Sequence, residues 1–266
     1  MIFTQHVGNA HGKKDPFHRW LYSRVDRMFA CSELIRTNVL ATCPVDAARV
    51  STAFEPVDTH RFRFDTNGRA RLRKSWKTEK GLVVGMASRL TPGKGHELLL
   101  EAAALLVRKY PKARFVVAGA AAPEEQSYAQ GLEALRDRLG LKDVFHFVGH
   151  LHDVPAFWSA VDVAVHGANA EAFGMAVAEA LACARPVVAW DGEGTAEILR
   201  GPDGLVRGGV LVVPYEPKAW SHAIGRLLAS DRARKTLGTQ GPLVADRFSL
   251  DRFVKFHLVA YNEAKP

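Results

Sequence analysis

Cysteine is scarce in this 266-residue chain, which holds only Cys31, Cys43 and Cys183. An odd number at wide spacing, with no CxxC pair, argues against a disulfide framework and for reduced thiols in a cytoplasmic protein. The eleven histidines form no HExxH or similar pattern, so no metal and no other cofactor is expected. No run approaches the ~18 consecutive apolar residues that span a bilayer. The opening "MIFTQHVGNAHGKKD" lacks the apolar stretch and cleavage site of a secretory signal. Neither the GxGxxG dinucleotide fingerprint nor the GxxxxGK[ST] phosphate loop occurs. Solenoid-length repeats and low-complexity segments are missing too.

Positive charge is present in excess and unevenly placed. The chain carries a formal net charge of +8. Residues 1–80 hold 15 Lys/Arg against 8 Asp/Glu, a surplus of 7, so the rest is near balance. A basic N-terminal part suits an anionic partner, either a phosphorylated substrate or an acidic membrane surface, although a merely solvated basic surface explains it equally well. No aromatic residues interleave with the basic ones in the manner of a nucleic-acid reader, so no nucleic-acid partner is expected.

Beyond residue 80, buried strands alternate with amphipathic helices: "LVVGMAS", "HELLLEAAALLVRKYP", "ARFVVAGA", "EEQSYAQGLEALRDRLG", "VFHFVG", "VPAFWSAV", "DVAVHGA". Continuous Val/Ala/Leu strands in that alternation predict an α/β fold with a parallel sheet covered on both faces. Residues 1–60 show only two short strands and two helices, too few to close a doubly wound sheet. Either upstream sequence is missing or this part borrows its sheet from elsewhere; it reads as a truncated lobe. The polar residues 64–80 read as a linker followed by a short helix, and residues 217–238 as one helix.

Ligands of such sheets bind outside the carboxyl ends of the strands. The loop "RLTPGKGHE" after the first strand places Arg89 and Lys94 before a helix N-terminus, where a diphosphate would be favoured; a basic surface turn is the alternative. Residues 171–190, "EAFGMAVAEALACARPVVAW", form an apolar helix and strand that nonetheless carry Glu171 and Glu179. A helix apolar all round is buried, and an unpaired buried carboxylate is costly. Glu171 precedes Gly174 in the loop before the helix, and Glu179 lies within the helix. Both could accept hydrogen bonds from a hydroxyl-rich ligand, or they could pair with Arg185 or a loop arginine. His6 follows the strand fragment "IFTQ", where it is either a site residue or a packing one.

These segments together resemble the donor-binding lobe of glycosyltransferase family 4, the glycosyl transferases group 1. The match is most specific at the Glu-x7-Glu element with its internal Phe-Gly, preceded by the Arg…Lys-Gly loop, and extends over about residues 1–262. The resemblance implies a GT-B architecture of two facing Rossmann-like lobes. Residues 1–64 would be the C-terminal part of the acceptor lobe and 65–266 the donor lobe, with a last helix over about 249–264 crossing back. It implies a retaining, metal-independent transferase that moves a sugar from a nucleotide-diphosphate donor to a saccharide or lipid-linked acceptor, as in cell-surface polysaccharide or lipopolysaccharide synthesis. A non-catalytic nucleotide-sugar-binding fragment, or an epimerase or phosphorylase of the same architecture, is the alternative. Arg89 and Lys94 would bind the diphosphate and Glu171 the sugar. The backbone of Phe173, Gly174 and Met175 would approach both, and Glu179 would take the ribose. The base would lie near Gly149, and His6 near the reacting carbon. Arg89, Lys94, Glu171 and His6 would thus be the catalytic group. Three departures stand out: "EPVD" (55–58) replaces an "nGvD" turn, Ala184 replaces a glycine taken as a packing change, and Glu193 replaces a glycine and adds negative charge to a donor-facing loop. The expected location is cytoplasmic, at most peripheral to the inner face of a membrane.

Overall fold

A computed structural model of the chain describes residues 1–263. The first strand, β1 (Ile2–Gln5), leads through α1 (Pro16–Tyr22) to β2 (Arg27–Ala30), then through α2 (Glu33–Thr42) to β3 (Val50–Thr52). All three strands pair in parallel, Ile2 opposite Arg27 and Met28 opposite Val50. Strand β3 does not stand out in the sequence: it is three residues long with two of them polar, below the length at which alternation is visible. Both helices start on side-chain caps: Asp15 accepts from the His18 amide before Pro16, and Ser32 accepts from the Ile35 amide.

The polar segment that follows is a helix, α3 (Thr66–Ser75). It is bound firmly to the second sheet. Arg73, itself buried, donates to Asp162, to the Ala160 carbonyl at 2.8 Å and to the Gly81 carbonyl at 3.1 Å. Arg69 reaches the other oxygen of Asp162 at 2.8 Å, and the Val83 amide donates to the same carboxylate. Burial pushes the Asp162 carboxyl up, but Arg73 and Arg69 outweigh it and hold the group below its ordinary value.

The large sheet is built from β4 (Val83–Ala87), α4 (His96–Leu106), β5 (Arg114–Ala118), α5 (Gln126–Arg138), β6 (Phe145–Phe147), α6 (Val154–Ala160), β7 (Val163–His166), α7 (Met175–Ala182), β8 (Val187–Trp190), α8 (Glu193–Leu199) and β9 (Gly209–Val212). Its order is β6-β5-β4-β7-β8-β9 and every pairing is parallel. Alternate strand residues feed opposite faces. Val84, Met86, Val165 and Val188 pack with Leu99, Leu100, Trp220 and Ile224 on one side. Val83, Ala164, Val187 and Ala189 pack with Phe157, Trp158, Val177 and Leu181 on the other. Strand order reverses between β4 and β7, and the loops after these two strands border the crevice that this reversal opens.

Residues 217–238 are two helices rather than one. Helix α9 (Pro217–Ala229) stops at extended Ser230, whose hydroxyl accepts from the Ala233 amide at 3.1 Å and starts α10 (Asp231–Asp246). Ala184 holds φ 56°, a left-handed conformation that favours glycine. The expected glycine at this position therefore answers a backbone requirement rather than a packing one. Helix α11 (Leu250–Glu263) follows a crossover at which Val57 bridges to Ser249. It sets Phe256 and His257 edge-on against Phe29 of β2.

Two further contacts join the sheets. Phe54, Phe173 and Phe248 pack together with ring centroids 5.1–5.9 Å apart. Glu197 of α8 accepts from the Glu33 and Leu34 amides at 2.8 and 2.7 Å, capping α2 from across the divide.

Replacing Asp162 by Ala leaves Arg73 buried without its counter-charge. Urea unfolding should show a loss of about 3–5 kcal/mol. The wild-type contribution should be full above the ordinary aspartate pKa and fade as pH falls below it, since the folded value is the lower one. A loss near zero would mean that the cluster does not anchor α3.

Candidate active site

A cavity of about 310 Å³ opens between the loops after β4 and β7 and the small sheet. Its walls include Arg89, Lys94, Glu171, the Phe173–Gly174–Met175 backbone turn and His6. A second cavity of about 450 Å³ adjoins it through Ala87, Ser88 and Arg89, and is lined chiefly by alanines, Leu151, Val154 and Phe157. One space is charged and the other apolar, with Arg89 at their junction.

Local backbone chemistry aims each group. The chain turns after β4 through Pro92 and Gly93, and Gly95 caps α4 at φ 84°. A Cβ on Gly95 would stand 2.3 Å from the Gly167 carbonyl oxygen, so only glycine lets the two loops approach this closely. That approach brings Lys94 Nζ to 2.8 Å from Glu171 Oε2. Across the crevice Gly174 caps α7 at φ 105°. The amides that open α7 belong to residues lining the cavity, where the positive end of the helix favours an anion. The Phe173 ring is turned away into the Phe54–Phe248 cluster.

Glu171 belongs to the loop, as its place before Gly174 predicts, and it is half-buried. Its partner is the loop lysine rather than Arg185, which instead donates to the Cys183 and Val161 carbonyls and stacks over Phe64. Burial pushes the Glu171 carboxyl up, yet His166 and Lys94 overcome this and hold it at about 2. The site therefore carries a fixed negative charge at neutral pH, matched by Lys94.

Glu179 and Gly149 do not line either cavity. Glu179 sits on α7 one turn beyond Met175, and its Oε2 accepts from the Trp158 indole at 3.3 Å. Burial raises its carboxyl against the opposing effects of that indole and Arg61. The two acids thus do not share one cavity. Gly149 accepts from the Gly119 amide at 2.8 Å, and its successors His150 and Leu151 line the apolar space. Glu193 opens α8; its side chain lies outside the described part of the structure.

Four residues not singled out from the sequence join the site. Glu55, in the "EPVD" turn, places Oε1 2.5 Å from His6 Nδ1, and Cys31 lines the same wall. Ser88 faces both cavities and is held by His96 Nε2 at 2.9 Å. Burial, reinforced by Lys94, lowers His96 to about 4, so it is neutral at physiological pH. His166, the last residue of β7, lines the cavity at 5% exposure. Its position at a strand's carboxyl end in "DVAVHGA" was the available signal. Among the described residues no group of three His, Cys, Asp or Glu gathers as an ion-binding set.

Comparison with known proteins places this geometry in context. The family model "Glycosyl transferases group 1" matches residues 68–244, more than half of the chain. A D-inositol 3-phosphate glycosyltransferase of Salinispora tropica is 31% identical over 256 residues, covering 91% of this chain and 52% of that protein. The putative glycosyltransferase EpsD of Bacillus subtilis is 32% identical over 201 residues, covering 75% of this chain and 50% of that protein. The chain thus spans about half the length of the curated relatives it matches. Among solved structures, HepE of Anabaena in complex with UDP and glucose superposes with a TM-score of 0.83 at 22% identity, over 98% of this chain and 71% of that one. A glycosyltransferase of Rickettsia africae gives a TM-score of 0.86 at 19% identity, over 98% and 70%. At these identities the structural likeness establishes the fold, which is of GT-B type.

The Lys94–Glu171 pair has a measurable consequence. The carboxyl ¹³C resonance of Glu171 should titrate near pH 2, and Lys94→Ala should move its midpoint up toward the ordinary glutamate value. Any stability the pair supplies should be complete above that ordinary value and lost as pH falls toward 2. A midpoint unmoved by the substitution would remove Lys94 as a cause.

Proposed function

Because the chain belongs to the glycosyl transferases group 1 family, we propose that it forms the donor side of a retaining glycosyltransferase. This enzyme moves a sugar from a nucleotide-diphosphate donor to a saccharide or lipid-linked acceptor. The observation that carries the proposal is the single cavity in which Arg89, Lys94 and the start of α7 face Glu171, with His6 on the opposite wall. The apolar space beyond Arg89 has the lining expected of a base site. Cell-surface polysaccharide or lipopolysaccharide synthesis is the proposed setting.

The chemistry follows from charge. Breaking the bond from the anomeric carbon to the diphosphate develops negative charge on the leaving group and an oxocarbenium-like sugar. Arg89, Lys94 and the α7 amides are preorganised for the first of these, at about 3–4 kcal/mol for a well-placed donor. In the proposed reaction these cations take the part that a metal plays elsewhere. The acceptor attacks on the leaving-group face, a phosphate oxygen takes its proton, and configuration is retained. Glu171, already ionised and held by Lys94, positions sugar hydroxyls and is not a nucleophile in this scheme. Glu179 is the proposed ribose ligand, which requires its carboxylate to exchange the Trp158 indole for a ribose hydroxyl or to accept from both.

A second reading is donor binding without transfer. It is favoured by the exposure of His6, whose side chain is 61% accessible on the acceptor-facing wall. Product formation separates the two readings: release of nucleoside diphosphate only when acceptor is present supports transfer, and binding without release supports the second.

The acceptor-side surface also supports peripheral contact with an anionic membrane from the cytoplasmic side. On α1, Phe17 and Trp20 are 63% and 55% exposed and stack at 6.1 Å, and Arg24 lies 4.2 Å over the Trp20 ring. Aromatic side chains beside cations suit a headgroup layer. Among the described residues no helix is long and apolar enough to cross a membrane.

A thermal-shift screen with uridine, guanosine and adenosine diphosphate sugars tests the donor reading directly. Lys94→Ala should cut turnover at least tenfold with little change in melting temperature, and Glu179→Gln should weaken nucleotide affinity in an intact fold. Equal losses of stability and activity in the first variant, or an unchanged nucleotide Kd in the second, would refute the respective role. Sedimentation with phosphatidylserine vesicles should capture the chain at low salt and release it at high salt; no binding at low salt would remove the membrane proposal.

A further inference from the structure

His166 is a buried histidine that has a carboxylate, Glu171, beside it but whose ring completes no hydrogen bond. Its Nδ1 and Nε2 make no hydrogen bond among the described residues. Nε2 stands 3.5 Å from Glu171 Oε2, at the outer limit of a hydrogen bond and without the geometry of one. The other buried histidines are treated differently: His96 has Ser88 at 2.9 Å on one nitrogen and Tyr128 at 3.3 Å on the other, and His257 Nδ1 has the Phe253 carbonyl at 2.9 Å. A neutral imidazole carries one N–H and one lone pair, and a buried orphan of either kind calls for a ligand or a water. His166 also lines the cavity that holds Lys94 and Glu171, so the group that satisfies it can come from there.

The neighbours decide what that group is. An anion lodged against His166 would lie beside the Glu171 carboxylate, which burial raises but His166 and Lys94 hold ionised, and would be repelled. A hydroxyl is neutral, both donates and accepts, and can meet whichever ring nitrogen faces it while a second hydroxyl binds Glu171. We propose that His166 is a specificity-determining residue that hydrogen-bonds a hydroxyl of the transferred sugar, adjacent to the one taken by Glu171. The inference rests on the reading of this cavity as the donor-sugar site and adds to it a residue that selects among sugars. A donor lacking that hydroxyl leaves the imidazole buried and unmet, which is the condition under which a site discriminates most strongly.

Isothermal titration of the 266-residue chain tests this. The probes are uridine, guanosine and adenosine diphosphates and their hexose conjugates, and the readout is the factor by which the hexose tightens binding over the bare nucleotide. Relative to wild type, H166L and H166F should reduce that factor about tenfold or more while the Kd for the bare nucleotide stays within about twofold. An unchanged factor, or parallel loss of nucleotide and conjugate affinity, overturns the assignment. A wild-type chain that binds none of these ligands refutes the donor-site reading itself, before any substitution is made. Wild-type protein provides an independent measurement if the apolar variants fail to fold. The ring ¹⁵N resonances of His166 should shift on adding the conjugate and stay in place with the bare nucleotide. An equal response to both would overturn the proposal.

Discussion

The ion pair between Lys94 and Glu171 is the constraint on which the site depends. It ties the loop after β4 to the loop after β7 across the crevice where strand order reverses. With neither His166 nor Lys94 beside it, Glu171 would be a half-buried acid with its carboxyl pushed up. With Lys94 and His166 beside it, the group is held at about 2 and its charge becomes a fixed feature of the cavity. Lys94 in turn is not a free surface cation, so any anion it binds must share it with a carboxylate. In the proposed reaction that sharing would limit how tightly a diphosphate is held, and it leaves Arg89, which lines both cavities, as the cation with the fewer side-chain commitments among the described residues.

Glycine makes the pair geometrically attainable. Gly95 lets one loop's backbone touch the other's at Gly167, and Gly174 turns the chain so that the first amides of α7 belong to the cavity wall. The aromatic ring next to Gly174, that of Phe173, is an anchor. It plugs into Phe54 and Phe248, the residues that flank the two crossings between the sheets. The backbone that approaches the cavity is therefore held in place by the same cluster that joins the small sheet to the large one. Glu197 adds a second strut, satisfying orphan amides at the start of α2.

These struts bear on how the two walls act together. His6 and Glu55 come from the small sheet and its exit turn, whereas Arg89, Lys94, Glu171 and His166 come from the large one. A reaction at this cavity needs both walls in register, and the contacts that set the register lie outside the cavity. Lobe closure that excludes water from the donor, as the proposed transfer requires, would have to work through Phe54, Phe248 and the Glu197 cap.

Much of this was written in local patterns. Alternating Val-rich strands and amphipathic helices determine the parallel sheet, because only such a sheet buries continuous apolar strands on both faces. The Arg89…Lys94-Gly95 loop and the Glu171…Phe173-Gly174 turn were legible because helix N-termini and glycines leave signatures a few residues long. Other features depended on distance in the chain. Nothing near residue 94 says that its partner is Glu171 and not a phosphate alone, and nothing near residue 179 says that Trp158 takes its carboxylate. A short helix was legible within the charged residues 64–80, but its attachment to the large sheet was not, because Arg73 of α3 finds Asp162 only after folding, 89 residues later. Glu55 and Ser88 join the site for the same reason, since no local pattern says which wall they reach, and His166 offered only its place at the carboxyl end of a strand. Periodicity and caps are short-range properties of a chain, whereas the pairing of buried charges and the orphaning of a buried imidazole are decided only when the strands take their order in the sheet.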